Sequence, residues 1–201
     1  MLTGFEAFGG QPINPSALAV TELAGEMIAN CRVETRVLPC TFDGAIAMLD
    51  EEIRSLSPAL VICVGQASGS DSIAVERIAI NLDDASSPDN LGCQPRDTPI
   101  CEEGPAAYWG TLPTRRIVDA LTREGIKARL SQDAGTFVCN HVFYGLMRIV
   151  EQRREVRAGF IHVPLLPEQV AENQLPSMSL STIVRAIAIA CAVSLQEGEI
   201  P

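Results

Sequence analysis

Ala59-Leu60-Val61-Ile62-Cys63-Val64 is an uninterrupted apolar stretch, and it decides the fold class. A strand with one wet face alternates polar and apolar side chains, so a run without alternation indicates a strand that is covered on both faces. An amphipathic helical pattern lies before this run, over 42–56, and a further helix, closed by Gly125, is predicted after it over 113–124. The sequence therefore predicts a buried strand between layers of helices.

Strand and helix patterns alternate along most of the chain. Helices are predicted over 16–29, 42–56, 113–124, 138–153 and 179–195, strands over 2–3, 31–38, 59–64, 126–130 and 159–163, and a strand or hairpin over 72–82. This alternation favours an α/β fold, a three-layer α/β/α sandwich with a central twisted, mostly parallel sheet. The 201 residues are expected to form a single catalytic domain, 1–201.

One long segment interrupts the alternation. Residues 85–113 are rich in Pro, Asp and Gly, and they are predicted to be mostly irregular. A loop of this length in a compact domain is usually functional or an interface arm.

The composition argues against two classes of partner. The formal charge is −10, from 25 acidic and 15 basic residues, whereas binding to a phosphate backbone requires a basic surface. The longest apolar stretch, 183–195, contains Arg185 and is too short to span a bilayer. No basic region followed by an apolar run stands at the N-terminus, so no signal peptide is expected. We therefore expect neither nucleic-acid nor membrane binding.

Cysteine usage indicates a reducing compartment. The seven cysteines are odd in number and include no Cys-x-x-Cys pair, so neither a zinc site nor a thioredoxin motif is predicted. Several lie in apolar runs, where a thiol acts as a small hydrophobic group. The expected location is cytoplasmic, and no metal or organic cofactor is expected.

A candidate nucleophile lies at a predicted helix start. Residues 131–140 read Ser-Gln-Asp-Ala-Gly-Thr-Phe-Val-Cys-Asn, which predicts a strand end, a glycine turn and the first turn of a helix. Sites in α/β sheets gather at such junctions. At the helix N-terminus, unpaired N–H groups and the macrodipole favour a thiolate at Cys139 and could stabilise an oxyanion.

The candidate base follows by elimination, because the chain has only two histidines. His141 lies two residues after Cys139 and points to roughly the opposite side of the helix, whereas His162 lies near the end of a strand. Glu76 is a carboxylate in an otherwise apolar strand and needs a partner. An imidazole oriented by a carboxylate and placed beside a thiol is a catalytic triad.

Each of the three residues also has a purely structural interpretation. A lone cysteine at a helix start is more often a packing residue than a nucleophile, and a histidine in a strand is more often a satisfied core residue. Glu76 has an obvious partner in the adjacent Arg77.

The same residues stand in a series of motifs that covers nearly the whole chain. The series is Thr3-Gly4-Phe5-Glu6-Ala7-Phe8-Gly9-Gly10, Asn14-Pro15-Ser16, Val64-Gly65-Gln66-Ala67, Glu76-Arg77-Ile78-Ala79-Ile80-Asn81, Pro88-Asp89-Asn90, Gly104-Pro105-Ala106-Ala107-Tyr108, Thr111-Leu112-Pro113, Ala134-Gly135-Thr136-Phe137-Val138-Cys139-Asn140, Gly159-Phe160-Ile161-His162-Val163-Pro164 and Leu166-Pro167-Glu168-Gln169. In this order the motifs resemble those of pyroglutamyl-peptidase I, the pyrrolidone-carboxylate peptidase family of cysteine peptidases.

The resemblance implies hydrolysis of the bond after an N-terminal L-pyroglutamyl residue, through an acyl-enzyme on a Cys139–His162–Glu76 triad. It also implies that Phe5 and Phe8 line the pocket for the lactam ring and that the backbone of Gln66 recognises the ring amide. For the two aromatics, ordinary packing is the alternative. The partners implied are N-terminally pyroglutamylated peptides, and the resemblance also implies a homotetramer.

The sequence departs from the family pattern at three places. Ser68-Gly69-Ser70 replaces a frequent Gly-Gly-Arg, Ala74 replaces a usual Ser or Thr, and Ser86-Ser87 replaces Arg-Ile. The last change removes an arginine placed near the oxyanion and an apolar residue near the lactam pocket. It leaves open an alternative function: a catalytically weak relative that binds pyroglutamyl peptides or senses thiol oxidation through Cys139. A different hydrolase on a similar sheet is a third possibility, which the motif series disfavours.

Overall fold

The computed structural model describes residues 1–153, 155–170 and 175–196. The strands are β1 (Leu2–Phe5), β2 (Met27–Ile28), β3 (Cys31–Arg32), β4 (Thr35–Leu38), β5 (Leu60–Gln66), β6 (Ile73–Glu76), β7 (Ile78–Ile80), β8 (Ala107–Trp109), β9 (Ala128–Ser131) and β10 (Arg157–Val163). The helices are α1 (Pro15–Glu22), α2 (Phe42–Leu56), α3 (Thr114–Arg123), α4 (Val138–Val150), α5 (Pro167–Val170) and α6 (Leu180–Leu195).

A six-stranded sheet forms the centre of the protein, in the order β4-β1-β5-β10-β6-β9. The strands from β4 to β10 in this order are parallel. β6 is antiparallel to β10, and β9 is parallel to β6, so these two run in the opposite direction. The predicted mostly parallel sheet is confirmed.

Two apolar layers cover the sheet. Alternate residues of β5 separate between them: Ile62 and Val64 face α1, α3 and α6, whereas Val61 and Cys63 face α2 and α4. All residues of β5 before Gln66 are buried, because both faces of the strand are covered. This is the arrangement that the unbroken apolar run predicts, and it confirms the three-layer sandwich.

The predicted helix over 16–29 is wrong in its second half. Asn14 caps α1 as its side chain accepts a hydrogen bond from the Ser16 N–H at 3.0 Å, but the helix ends at Glu22. Gly25 then adopts a φ of +79°, and the chain turns into the β2–β3 hairpin. The glycine supplies a left-handed conformation that stops the helix, and local helix propensity does not override it.

The segment 72–82, predicted as a strand or hairpin, forms two strands that divide at Arg77 and do not pair with each other. β6 stays in the central sheet, whereas β7 leaves it and pairs antiparallel with β8. β8 is the one strand within the predicted irregular segment 85–113, all of which the structure describes. Asn81 closes this segment, since its side chain accepts from Cys101 N at 2.9 Å and donates to Cys101 O at 2.7 Å.

The seven cysteines are all unpaired. Burial raises the pKa of the Cys63 and Cys191 thiols to about 12, which keeps them neutral and unreactive inside the two apolar layers. Among the described residues, no helix combines the length and apolar character that crossing a membrane requires.

Candidate active site

Cys139 lies where the sequence predicts, in the first turn of a helix. A turn with Gly135 at a φ of +78° links the end of β9 to α4, whose cap residue Phe137 is extended. No side chain caps this helix start. The N–H groups of the first turn therefore remain available to a negatively charged oxygen beside Cys139, a residue of intermediate exposure whose thiol points inward.

His162 and Glu76 form a buried pair. The distance from His162 Nδ1 to Glu76 Oε1 is 2.8 Å, and Glu76 is 1% exposed. The strand register explains the contact: His162 is opposite Ala74 in the β10–β6 pair, so Glu76, two residues further along β6, projects from the same face. Because Nδ1 faces the carboxylate, the neutral imidazole keeps its proton on Nδ1 and its lone pair on Nε2.

Arg77, the alternative partner of Glu76, turns elsewhere. Its guanidinium carbon lies 5.1 Å from the centre of the Trp109 ring on the β8 strand. Such stacking is a cation–π contact. Glu76 therefore pairs with His162, and its neighbour Arg77 stacks on Trp109 instead of forming a local ion pair with it.

Gly65 leaves room for the thiol on the strand next to that of His162. Gly65 is in register with His162 across the parallel β5–β10 pair, so both residues face the same side of the sheet. A Cβ added to Gly65 would lie 2.8 Å from Cys139 Sγ. The sulfur thus lies over β5, and the neighbouring strand β10 carries His162; paired strands are about 4.8 Å apart. The structure brings Cys139, His162 and Glu76 together at one point, and their catalytic roles stay predictions.

Burial and the helix N-terminus act in opposite directions on the charge of the Cys139 sulfur. Burial raises the pKa of the Cys139 thiol, and the nearby Cys40 thiol, the Glu76 carboxylate and the Cys63 thiol raise it further. The helix N-terminus therefore does not by itself provide a thiolate. The raised pKa favours a neutral thiol in the resting site, so attack requires that its proton move to a base.

His141 points away from this cluster, as predicted. Its Nδ1 lies 2.7 Å from Asp83 Oδ2, and its ring stands edge-on to Phe42 at 5.2 Å. His141 and Asp83 are both buried. The chain therefore holds two buried His–carboxylate pairs, and only that of His162 lies beside Cys139.

The residues predicted to hold the lactam differ in depth. Phe5 is 2% exposed and packs against Phe160 at 6.2 Å between ring centres. Phe8 is half-buried and lies 6.0 Å from the ring of Phe137, which begins the Cys139 turn. Gln66 ends β5 directly after Gly65, and its side chain accepts a hydrogen bond from Gln169 Nε2 at 3.0 Å. Lactam binding by these three residues stays a prediction.

Two polar residues that sequence reasoning did not single out hold the Phe8 loop. Glu6 Oε1 accepts hydrogen bonds from Cys40 N at 3.0 Å and from Asn90 Nδ2 at 2.8 Å. Asn90 Nδ2 also donates to Ala7 O at 2.9 Å. Both residues lie in motifs that carry the family resemblance, but nothing local indicates that they pair across 84 positions.

Comparison with known proteins identifies the family. The family model described as pyroglutamyl peptidase matches residues 1–197. The pyrrolidone-carboxylate peptidase of Klebsiella pneumoniae (strain 342) is 52% identical over 199 residues, which is 98% of this chain and 93% of that protein. The pyrrolidone-carboxylate peptidase of Enterobacter sp. (strain 638) is 49% identical with the same coverage.

Solved structures agree with the sequence comparison. The crystal structure of Bacillus amyloliquefaciens pyroglutamyl peptidase I has a TM-score of 0.94 at 45% identity, and the match covers 96% of this chain and 94% of that one. A mutant pyrrolidone carboxyl peptidase from the hyperthermophile Pyrococcus furiosus has a TM-score of 0.93 at 38% identity, with 96% of each chain covered. With a family model over nearly the whole chain and relatives at about half identity, this chain belongs to the pyroglutamyl peptidase family.

Proposed function

We propose that this chain is a cysteine peptidase that removes L-pyroglutamate from the N-terminus of peptides, with Cys139 as nucleophile, His162 as base and Glu76 as the partner of the base. The observation that carries the assignment of residues is the 2.8 Å contact between His162 and Glu76 beside the Cys139 sulfur. The family supports the substrate.

The reaction begins with the neutral thiol. His162 Nε2 takes the proton from Cys139 Sγ as the sulfur attacks the pyroglutamyl carbonyl carbon, and the oxygen of the tetrahedral intermediate gains a negative charge. First-turn N–H groups of α4 stabilise that oxygen. The imidazolium returns the proton to the departing amine, which leaves a thioester on Cys139. Water, deprotonated by His162, then releases pyroglutamic acid and the free thiol.

Glu76 acts through His162 in this mechanism. A buried carboxylate that accepts the Nδ1 hydrogen bond keeps Nε2 unprotonated in the resting imidazole and stabilises the imidazolium formed during attack. Because burial favours the neutral thiol, each attack includes transfer of the thiol proton to His162.

We propose that Phe5, Phe8 and the backbone of Gln66 bind the lactam. Pyroglutamate is small, neutral and flat, so aromatic walls and backbone hydrogen bonds can select it without a charged anchor. Gln66 follows Gly65, which lies beneath the sulfur, and Phe8 contacts the ring next to the Cys139 turn. These contacts support a ring-binding site directly beside the nucleophile.

Turnover of a pyroglutamyl-coumarin substrate tests the proposed activity. Release of the fluorescent amine is expected, with complete loss after treatment with a thiol reagent. A prolyl-coumarin substrate, which lacks the lactam carbonyl, is the control and should be a much poorer substrate. A folded protein that leaves the pyroglutamyl substrate intact would contradict the proposal.

Gly65→Ala should disable the site without unfolding the protein. The new methyl group would lie 2.8 Å from Cys139 Sγ and 2.8 Å from Phe160 Cζ, so the sulfur must shift. A displacement of about 1 Å at a reacting atom costs about 10² in rate, and we expect kcat to fall by about this factor.

Gly159→Ala is the matched control for Gly65→Ala. It also adds a methyl group to a sheet glycine, but toward Leu112 at 2.7 Å on the opposite face. Both variants should lose about 1–3 kcal/mol of stability through overpacking. Equal kcat values in the two variants would show that Gly65 gives no specific room to the sulfur.

The alternative of a catalytically weak relative rests on Ser86 and Ser87, and the comparisons give it no support. Both serines are exposed, directly after Ala85, which is buried in the same cluster as Val138. If a cation is missing near the oxyanion, Ser86→Arg should raise kcat by up to about 10²-fold and change KM by less. The reason is that removing one oxyanion donor costs about 10²–10³ in rate.

Ser86→Gln, of similar length but uncharged, is the control, and steady-state kinetics of both variants make the comparison. An unchanged kcat in folded Ser86→Arg, with Cys139 still open to alkylation, would mean that position 86 is an ordinary loop position. Arg96, whose Nη1 lies 3.8 Å from Asp84 Oδ1, is then a candidate for the positive charge near the oxyanion.

We also propose that residues 1–201 act as one catalytic domain in the cytoplasm and assemble as a homotetramer. Seven unpaired cysteines support a reducing compartment. Leu91 and Trp109, 83% and 61% exposed in the segment 85–113, support a subunit contact there. Light scattering should give the mass of four chains, and the mass of one chain would contradict this assembly.

A further inference from the structure

Asn140 follows the nucleophile directly, and its side-chain amide is fully hydrogen-bonded. It is 1% exposed. Its Oδ1 accepts from Ile80 N at 3.0 Å, and its Nδ2 donates to Ile80 O at 2.9 Å and to Leu82 O at 3.1 Å. The amide therefore uses both donor hydrogens and its acceptor on one stretch of backbone.

That stretch continues from the strand that carries Glu76. Ile80 lies four positions after Glu76, and the chain between them is fixed where it leaves the sheet, since Arg77 N donates to Ser131 O at 2.9 Å. Gly110 N donates to Arg77 O at 2.9 Å on the other side. Beyond Ile80, Thr136 Oγ1 donates to Asp84 O at 2.8 Å. The backbone from Glu76 onward is thus attached to the turn that holds Cys139.

We propose that Asn140 is a positioning residue, which sets the place of the Cys139 sulfur relative to the Glu76–His162 pair. Cys139 lies on α4, whereas Glu76 lies on β6. The Asn140 amide joins α4 to the backbone that follows Glu76. This inference rests on the proposed function. It adds a fourth residue, which touches neither substrate nor the reacting atoms.

The chemistry requires an amide at this position. Aspartate has the same shape and can still accept from Ile80 N, but its second oxygen would face the carbonyl oxygens of Ile80 and Leu82 instead of donating to them. In this buried site, the loss of the two donated hydrogen bonds and the repulsion between oxygens push the start of α4 away from the end of β7. The sulfur moves with it, whereas the Phe8 loop is held by other bonds.

Asn140→Asp should therefore separate kcat from KM. A shift of about 1 Å at the sulfur lowers kcat by about 10²-fold, with KM changed by less than about threefold. The rate of Cys139 alkylation by iodoacetamide should fall as well, because the sulfur leaves the imidazole that accepts its proton. If Asn140 served stability alone, Asn140→Asp would lower the melting temperature and leave kcat and the rate of Cys139 alkylation near wild type.

Asn81→Asp is the matched control. Asn81 lies between Ile80 and Leu82 on the same stretch of backbone, but its side chain bridges the N–H and the carbonyl of Cys101 in the 85–113 segment and not the Cys139 turn. We expect this variant to lose stability and to keep kcat within about threefold. If Asn140→Asp does not fold, Asn140→Ser, which keeps one hydroxyl, gives the same comparison.

Failure of the proposed function and failure of the positioning role of Asn140 give different results. A wild-type protein without pyroglutamyl turnover would overturn the proposed function. An active wild type, with a folded Asn140 variant whose kcat and alkylation rate match those of Asn81→Asp, would overturn the positioning role alone.

Discussion

Cys139→Ala lowers kcat for a pyroglutamyl substrate by at least about 10⁴-fold, because removing the nucleophile of a peptidase triad costs about 10⁶ and leaves only binding and oxyanion stabilisation. The protein should stay folded, since the change replaces a small thiol with a methyl group. Steady-state turnover together with the thermal melting temperature measures both effects.

Cys101→Ala is the control for this variant, because Cys101 has a similar intermediate exposure and lies in the segment 85–113. The second half of the test concerns the base. His162→Ala should lose activity to a similar extent, and His141→Ala should keep kcat within a few-fold. Near wild-type turnover in His162→Ala, with loss in His141→Ala, would reverse the assignment of the base.

Glu76→Gln lowers kcat by about 10³–10⁴-fold, less than the loss of the nucleophile, as for the carboxylate of other triads. The glutamine amide can donate to Nδ1, which moves the imidazole proton to Nε2 and removes the lone pair that accepts the thiol proton. KM should change little, because Glu76 is buried behind His162.

The second His–carboxylate pair provides a control in the same chain. Asp83→Asn makes the same chemical change at His141, where the distance is 2.7 Å and both partners are buried. It should reduce stability while kcat stays within about fivefold. Comparable losses of kcat in Glu76→Gln and Asp83→Asn would mean that neither carboxylate has a specific catalytic role.

The fold was predictable where local pattern and tertiary burial agree. The apolar run at 59–64 and the amphipathic pattern at 42–56 correspond to β5 and α2, and the second has the same bounds as predicted. The helix over 16–29 failed at Gly25, where a left-handed residue and a hairpin outweigh continuous helical spacing.

The reactive residues of the site were predictable from the sequence, but the residues that position them were not. Cys139 and His162 follow from a helix start and a strand end, whereas the room for the sulfur at Gly65 depends on the register of β5 with β10. The bonds of Asn140 to Ile80 join positions 60 residues apart, and such pairing has no local signal. The raised pKa of Cys139 is likewise a result of tertiary burial, which opposes the effect of the helix N-terminus.

Affinity labelling identifies the nucleophile and its lactam site in one measurement. Pyroglutamyl chloromethyl ketone carries the lactam ring and places an electrophilic carbon where the nucleophile should be, and peptide mapping by mass spectrometry locates the label. We expect one label per chain, on Cys139, with activity lost in proportion to labelling and with much slower labelling by prolyl chloromethyl ketone. Full activity after Cys139 is labelled, or inactivation by a label on another residue, would contradict the account.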